Sequence, residues 1–118
     1  DIILEDSKNP LISIAVELSD DLTLPLSPST QAVMQGATIV ANLSASNEIV
    51  GRSDYRKLLI CSQSKKTTSV YLYANASKEE STTDLVFSGH NLIVENGKIL
   101  KESNLFKKLS LLNFELVV

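Results

Sequence analysis

LISIAVELSDD, residues Leu11–Asp21, is an apolar run that ends abruptly in polar residues. Ile12, Ile14 and Val16 are β-branched, which favours a buried β-strand. At the polar end of the run, three carboxylates surround the hydroxyl of Ser19. A strand holds such an end rigidly, while the loop that follows exposes its side chains to a ligand. The segment therefore predicts a buried strand with a functional site at its carboxyl end.

The region around this strand alternates between strand and helix patterns. Strands are predicted at 11–18, 38–43 and 69–75, and helices at 28–35 and about 54–66. Ser27 is a suitable N-cap with Pro28 at the first helical position, Gly36 is the usual helix stop, and Ser53 is the expected cap of the second helix. This strand, helix, strand, helix, strand order predicts an α/β protein with a parallel sheet.

The pattern changes after the third predicted strand. Asn96-Gly97 is the strongest short signal for a β-hairpin, and the segments 84–95 and 98–102 flank it. The apolar segment 114–118 resembles one more strand. We therefore predict a βαβαβ unit followed by a β-hairpin and a terminal strand.

Composition excludes several classes of function. The chain has 118 residues, a formal net charge of −3, one Cys and one His. Interspersed charges give no basic stripe for nucleic acid, and no apolar run approaches the roughly 20 residues of a membrane-spanning helix. Cys61 has no partner for an internal disulfide, and a single His gives no convincing metal cluster. We expect one cytoplasmic domain that binds no metal, nucleic acid or membrane.

The carboxyl ends of the predicted parallel strands place polar residues at one edge of the sheet. These ends are the segments 17–21, 44–52 and 75–83. Ligands of open α/β sheets bind at that edge. We therefore expect a small polar ligand held by Ser46, Arg52 and the segment 17–21.

Several short motifs, in unbroken order over roughly 12–103, closely resemble the glutaminase domain of glutamine-dependent NAD synthetases. They include VELSDDL at 16–22, Pro25, Pro28-Ser29, GAT at 36–38, ANLSASNE at 41–48, Gly51-Arg52, Tyr71-x-Tyr73-Ala74, ESTTDLVF at 80–87 and GHNLI-x-ENG at 89–97. The resemblance implies a nitrilase-type fold, an α-β-β-α sandwich, of which this chain is the C-terminal part.

The resemblance also implies a reaction and its partners. Domains of this family hydrolyse glutamine to glutamate and ammonia, and the ammonia passes to an ATP-dependent domain that amidates deamido-NAD. We therefore expect 1–118 to be a fragment of one glutaminase domain that holds no cofactor itself, because ATP and deamido-NAD belong to the synthetase domain outside this chain. A half sandwich leaves strand edges and apolar faces open, so we expect a homo-oligomer.

Four site residues follow from the resemblance. The family nucleophile is a cysteine in the motif Glu-Leu-Cys-Glu-Asp, and Ser19 occupies its position. The backbone N–H of Asp20 would donate to the oxyanion, with an upstream Lys as the other donor. Ser46 and Arg52 match the positions that hold the α-amino and α-carboxylate groups of glutamine. A Glu base and the Lys come from a segment upstream of this chain.

Ser19 changes what the resemblance implies for activity. A thiol yields some thiolate beside a base, whereas a serine hydroxyl needs a complete activating arrangement. We therefore predict that the isolated chain is inactive. Asp20 replaces the usual Glu and Thr23 a usual aromatic residue, and these further departures favour natural divergence over a designed knock-out.

Alternatives remain for the function and for single residues. The chain is either the glutaminase part of an NAD synthetase or a non-catalytic remnant or interaction module; a nitrilase-superfamily amidase with another substrate fits the Ser46 and Arg52 match less well. Arg52 without the resemblance is a surface residue paired with Asp54 or Glu48. Glu17 is interpreted as a buried structural carboxylate, Cys61 as a packing residue, and His90 as part of the hairpin scaffold.

Overall fold

The structure is a computed structural model that describes residues 3–46, 49–76 and 89–103, with the backbone only at positions 19 and 20. The elements in chain order are β1 (Ile3–Glu5), β2 (Ser13–Leu18), a 3₁₀ helix (Ser19–Thr23), α1 (Pro28–Met34), β3 (Ile39–Ser44), α2 (Arg52–Thr67), β4 (Val70–Asn75), β5 (Leu92–Glu95) and β6 (Lys98–Glu102). Within the described residues the strands form one six-stranded sheet in the order β1-β2-β3-β4-β5-β6.

The central strands form the predicted parallel unit. β2 pairs with β3, and β3 with β4, in parallel, while β1, β5 and β6 are antiparallel additions. The hairpin at Asn96-Gly97 is confirmed, and both of its turn residues have positive φ. The predicted segment 84–88 and terminal strand 114–118 lie outside the described residues. β1 was not predicted, because a three-residue strand becomes recognisable only through its pairing with β2.

Both helices cover the same face of the sheet. Ala15, Val40, Tyr71 and Val94 lie in one row across β2 to β5 on this face. Ala15 packs with Ala32 of α1, whereas the rest of the row packs with Ile60 of α2. Burial of these apolar side chains supplies most of the driving force for this arrangement.

The other face of the sheet is exposed toward the carboxyl ends of β2 and β3. Val16, Leu18 and Leu43 on this face are 50%, 57% and 56% exposed. They alternate with the buried residues of the same strands, as the two-residue period of a β-strand requires. The sheet therefore has one face covered by helices and a second face whose apolar side chains are exposed toward the carboxyl ends of β2 and β3, whereas Ile39 and Val70 on that second face are buried.

One predicted helix start is wrong. Ser53 was the expected cap, but α2 begins at Arg52 with Gly51 as its N-cap. Gly51 has φ +80°, a conformation that glycine adopts without steric cost. The chain can therefore turn into the helix two positions before the predicted first residue. The α1 prediction is confirmed, with Ser27 as N-cap and Pro28 as the first residue.

Gly97 provides a test of how the hairpin packs on α2. A Cβ atom at Gly97 would lie 2.9 Å from Cβ of Lys65, and Gly97 N–H donates to Ser64 Oγ at 3.0 Å. We expect Gly97→Ala to lower the free energy of unfolding by about 2–3 kcal/mol, through left-handed strain and this collision. Urea denaturation measures the loss.

Gly51→Ala is the matched control for this prediction. Its φ of +80° is close to the +83° of Gly97, but nothing lies within 4 Å of its added Cβ. We expect a loss of about 1 kcal/mol from backbone strain alone. Equal losses in the two variants would show that the contact with Lys65 contributes nothing.

None of the helices in the described part of the chain is long and apolar enough to cross a lipid bilayer. Across residues 3–46, 49–76 and 89–103, no cluster of three or more His, Cys, Asp or Glu side chains is placed to bind a metal ion.

Candidate functional site

The carboxyl ends of β2, β3 and β4 meet at one edge of the sheet, as predicted. A cavity of about 60 Å³ lies at this edge. Its polar lining includes Thr23 from the 3₁₀ helix, Ser44 and Ser46 from the end of β3 and the loop after it, and Arg52 and Arg56 from α2. The structure thus brings Ser46 and Arg52 into one cavity. Glu17, by contrast, does not line it.

Ser46 is held in place through its backbone. The Asn75 side chain, at the end of β4, accepts a hydrogen bond from Ser46 N–H at 2.9 Å and donates to the Ser46 carbonyl at 3.0 Å. Asn75 N–H in turn donates to the Asn91 side chain at 3.0 Å. These bonds fix the loop after β3 to the neighbouring strand, so the Ser46 hydroxyl has a defined position at the cavity.

Two guanidinium groups line the cavity from successive turns of α2. Arg52, the first residue of the helix, is half-buried, whereas Arg56 is only 4% exposed. Residues four apart on a helix lie on the same face. The Cζ atom of Arg56 lies 5.9 Å from the centroid of the Tyr73 ring, which forms part of the cavity wall. Among the described residues that line the cavity, the charged groups are these two guanidiniums, which make this lining electropositive and suited to an anionic group.

Ser19 and Asp20 are the first two residues of the 3₁₀ helix that directly follows β2. The same helix contributes Leu22 and Thr23 to the cavity lining. The position matched to the family nucleophile thus belongs to the short element that borders the cavity. The roles of the Ser19 hydroxyl and the Asp20 N–H remain predictions.

Glu17 is buried in the core and does not line the cavity. Its side chain is 2% exposed and faces the helices, because it shares the inward face of β2 with Ala15. One carboxylate oxygen accepts the hydroxyl of Tyr71, and the other accepts the N–H of Ser29 at 3.0 Å. The structure agrees with the interpretation of Glu17 as a structural carboxylate, and the expectation that the whole segment 17–21 holds the ligand is wrong for Glu17.

The environment of Tyr71 supports the same assignment. Burial raises the pKa of its hydroxyl far above the ordinary value, and the neighbouring negative charge of Glu17 raises it further. The hydroxyl therefore stays protonated and donates to Glu17, while accepting from Asn42 Nδ2 at 3.0 Å. Tyr71 is a structural donor in the core.

Arg56, Asn75 and Tyr73 line the cavity or support it, although none of them was predicted as a site residue. Tyr73 packs in the core and also forms part of the cavity wall. Arg56 has one sequence signal, its spacing of one helical turn from Arg52. Cys61 agrees with its predicted packing role: it lies against the apolar core, and burial raises the pKa of its thiol.

The chain is similar in sequence to proteins of known function. The chain is 42% identical over 108 residues to the glutamine-dependent NAD(+) synthetase of Mycobacterium tuberculosis, which covers 92% of this chain and 16% of that protein. Identity to the Mycobacterium leprae enzyme of the same name is 45% over 93 residues, or 79% of this chain and 14% of that protein. The chain is a relative of one segment of the glutamine-dependent NAD synthetases. It spans less than a fifth of the length of these relatives.

Solved structures show the same fold. The glutamine-dependent NAD+ synthetase of Acinetobacter baumannii superposes with a TM-score of 0.79 at 21% identity, covering 90% of this chain and 19% of that one. A nitrilase-superfamily amidase from Nesterenkonia gives a TM-score of 0.72 at 20% identity, with coverages of 87% and 37%. The predicted nitrilase-type fold is thereby confirmed for one sheet and its helix layer. No protein-family profile matches the chain.

Proposed function

We propose that this chain is part of the glutamine amidohydrolase domain of an NAD synthetase and supplies the site that holds the amino-acid end of glutamine. The observation that supports this most strongly is the meeting of Ser46 and Arg52 in one electropositive cavity at the carboxyl edge of the sheet. Both residues match family positions that hold the charged groups of glutamine. A guanidinium can bond both oxygens of a carboxylate, which gives Arg52 a clear role.

In this proposal, two reactions take place in different parts of the synthetase, and this chain belongs to the part that handles glutamine. Glutamine hydrolysis would release ammonia for an ATP-dependent domain that amidates deamido-NAD, and this chain itself would hold neither ATP nor deamido-NAD. With Ser19 at the nucleophile position, the chain binds glutamine without hydrolysing it. The Asp20 N–H would be an oxyanion donor only in a form that carries the cysteine. We expect the protein to work in the cytoplasm.

Ser19 also supports a second candidate, a non-catalytic nitrilase-like remnant or interaction module. A serine hydroxyl is much harder to deprotonate than a cysteine thiol, so the substitution removes the easily activated nucleophile. The two candidates differ in whether the remaining residues still assemble a glutamine site. Replacing Ser19 by cysteine within a complete enzyme distinguishes them, as described in the Discussion.

Arg52→Met tests the proposed ligand contact. We expect it to weaken binding of L-glutamine to the purified chain by about 10- to 100-fold, because the charge-assisted bonds to the α-carboxylate are lost. Isothermal titration calorimetry gives the dissociation constants. Lys66→Met is the matched control: it removes one exposed cation from the other end of α2 and should leave binding within about twofold. Equal affinities in Arg52→Met and the unchanged chain would contradict the assignment.

The open face of the sheet supports association with a second copy of the chain. Leu43 on this face is 56% exposed beside Leu18, which is 57% exposed, so water contacts adjacent apolar side chains. We expect sedimentation velocity to show a dimer or larger species. Leu43→Lys should shift it toward monomer, whereas Leu58→Lys, at a position on α2 that is 63% exposed, should not. A clean monomer of the unchanged chain would contradict this.

A further inference from the structure

Arg56 is fixed by a chain of polar contacts that begins at the partly exposed Glu102 on the hairpin and becomes buried at His90. Its Nη1 lies 2.7 Å from Nδ1 of His90, which is fully buried. Nε2 of His90 lies 2.7 Å from Oε2 of Glu102 on β6, and Nζ of Lys57 lies 3.2 Å from the same oxygen. At the other end of the chain of contacts, Nη2 of Arg56 lies 3.5 Å from Oγ of Ser46.

The partners of His90 determine where its proton lies. A guanidinium has only donors, so Nδ1 of His90 accepts from Arg56 and the single ring proton resides on Nε2. That proton is donated to Glu102. Burial raises the pKa of Glu102, but hydrogen bonds from His90 and Lys57 outweigh burial and hold the pKa below its usual value. An ionised Glu102 thus fixes the tautomer that leaves Nδ1 facing Arg56.

The same network sets the direction of the Ser46 hydroxyl. Because Nη2 of Arg56 donates to Ser46 Oγ, the hydroxyl proton is available to an acceptor on the cavity side. The charge of Arg56 would repel a ligand ammonium group beside Ser46, whereas a carboxylate would be attracted to both Arg52 and Arg56. The arrangement therefore favours a carboxylate beside Ser46, where the family match places the α-amino group.

We propose that Arg56 is a positioning residue for the α-carboxylate of the ligand and that His90 and Glu102 hold its guanidinium toward Ser46. The proposal rests on the proposed function, since it names the groups that recognise one end of glutamine. Arg56 acts by orienting the Ser46 hydroxyl and by adding a second positive charge beside Arg52. His90 and Glu102 act through Arg56 and do not contact the ligand.

The test compares two ligands that differ at one group. L-Glutamine carries the α-carboxylate, and L-glutamine α-amide replaces that carboxylate by a neutral carboxamide. Calorimetric titration of the purified chain should give a clear preference for L-glutamine. Arg56→Met should weaken binding of L-glutamine about tenfold or more and change binding of the α-amide less than about twofold, because only the carboxylate interacts strongly with the lost charge.

His90 variants separate positioning from a general effect on folding. In His90→Gln, the amide oxygen can accept from Arg56 and the amide N–H₂ can donate to Glu102. His90→Leu removes both contacts. We expect His90→Gln to bind L-glutamine within about threefold of the unchanged chain and His90→Leu to bind it about tenfold more weakly. This pair decides the question if Arg56→Met fails to fold, which thermal unfolding reveals.

The outcomes distinguish this proposal from the proposed function. If the unchanged chain binds neither ligand, the glutamine site itself is refuted, and the role of Arg56 with it. If the unchanged chain prefers L-glutamine but folded Arg56→Met keeps that preference, only the role of Arg56 is overturned. Equal losses of affinity in His90→Gln and His90→Leu would likewise overturn the positioning role of His90.

Discussion

Glu17→Ala is expected to lower the free energy of unfolding by about 3–5 kcal/mol. The substitution leaves the buried hydroxyl of Tyr71 and the N–H of Ser29 without the carboxylate that accepts from both. It also opens a cavity where a fully packed side chain stood, since Glu17 is only 2% exposed. Urea denaturation followed by circular dichroism measures the change. A loss of this size would unfold a large fraction of a marginally stable domain.

Two further variants test the mechanism of this loss. Glu5→Ala removes an exposed carboxylate from the edge strand β1 and should change the stability by less than about 0.5 kcal/mol. Tyr71→Phe removes one donor to Glu17 and should cost about 1.5–3 kcal/mol. The double variant of Glu17→Ala and Tyr71→Phe should lose less than the sum of the single losses, because both remove the same bond. Additive losses would mean that the two groups do not interact.

The fold was largely predictable because its signals are local. The apolar run before Glu17, the Ser27-Pro28 start of α1 and the Asn96-Gly97 turn each act within a few residues, and the structure contains all three features. β1 and the start of α2 depend on other information. Pairing with β2 creates the strand at Ile3–Glu5, and the positive φ of Gly51 moves the helix start. Neither is visible in a propensity pattern.

The candidate site was predictable only in part. Ser46 and Arg52 were found because they lie in motifs with a recognisable spacing at the end of a predicted parallel strand. Arg56 was missed because its contact with His90 joins positions 34 residues apart. From sequence, an arginine on a helix is usually a solvated charge, and the spacing from Arg52 alone does not show that Arg56 is buried. His90 was predicted as part of the hairpin scaffold but lies just before β5, and its role as a link between Glu102 and Arg56 required the tertiary structure.

The two-residue period of a β-strand separates Glu17 from the other carboxylates around Ser19. Along the sequence, three carboxylates surround Ser19, which suggested a single polar cluster. Alternation along β2 places Glu17 on the inward face with Ala15, and Leu18 on the exposed face. Asp21 forms a local contact instead, accepting from the N–H of Leu18 at 3.1 Å. The carboxylates therefore separate into a core residue and residues of the following helix.

Ser19→Cys is expected to restore glutamine-dependent activity when the chain stands in place of the matching segment of the Mycobacterium tuberculosis synthetase. At 42% identity over 108 residues, the chain should fit that framework, in which the remaining segments of that enzyme are present. A thiol beside a base forms a thiolate nucleophile, whereas a serine hydroxyl is much harder to deprotonate. We expect the Cys chimera to form NAD from glutamine at least about 10³-fold faster than the Ser chimera.

Ammonia supplied in place of glutamine provides the control for this experiment. Both chimeras should form NAD equally well from added ammonia, since the ATP-dependent part is unchanged. This control shows that the chimeras are folded and that any difference lies in glutamine hydrolysis. Adding Arg52→Met to the Cys chimera should lower the glutamine-dependent rate at low glutamine concentration and leave the ammonia-dependent rate unchanged.

The glutamine-dependent rate of the Cys chimera is the most direct measure of whether this chain retains a glutaminase site. We expect NAD formation from glutamine with Cys at position 19, almost none with Ser19, and equal rates from ammonia. If the Cys chimera uses ammonia normally but stays silent with glutamine, the residues around the cavity no longer form a glutamine site. The chain would then be a non-catalytic remnant of the fold.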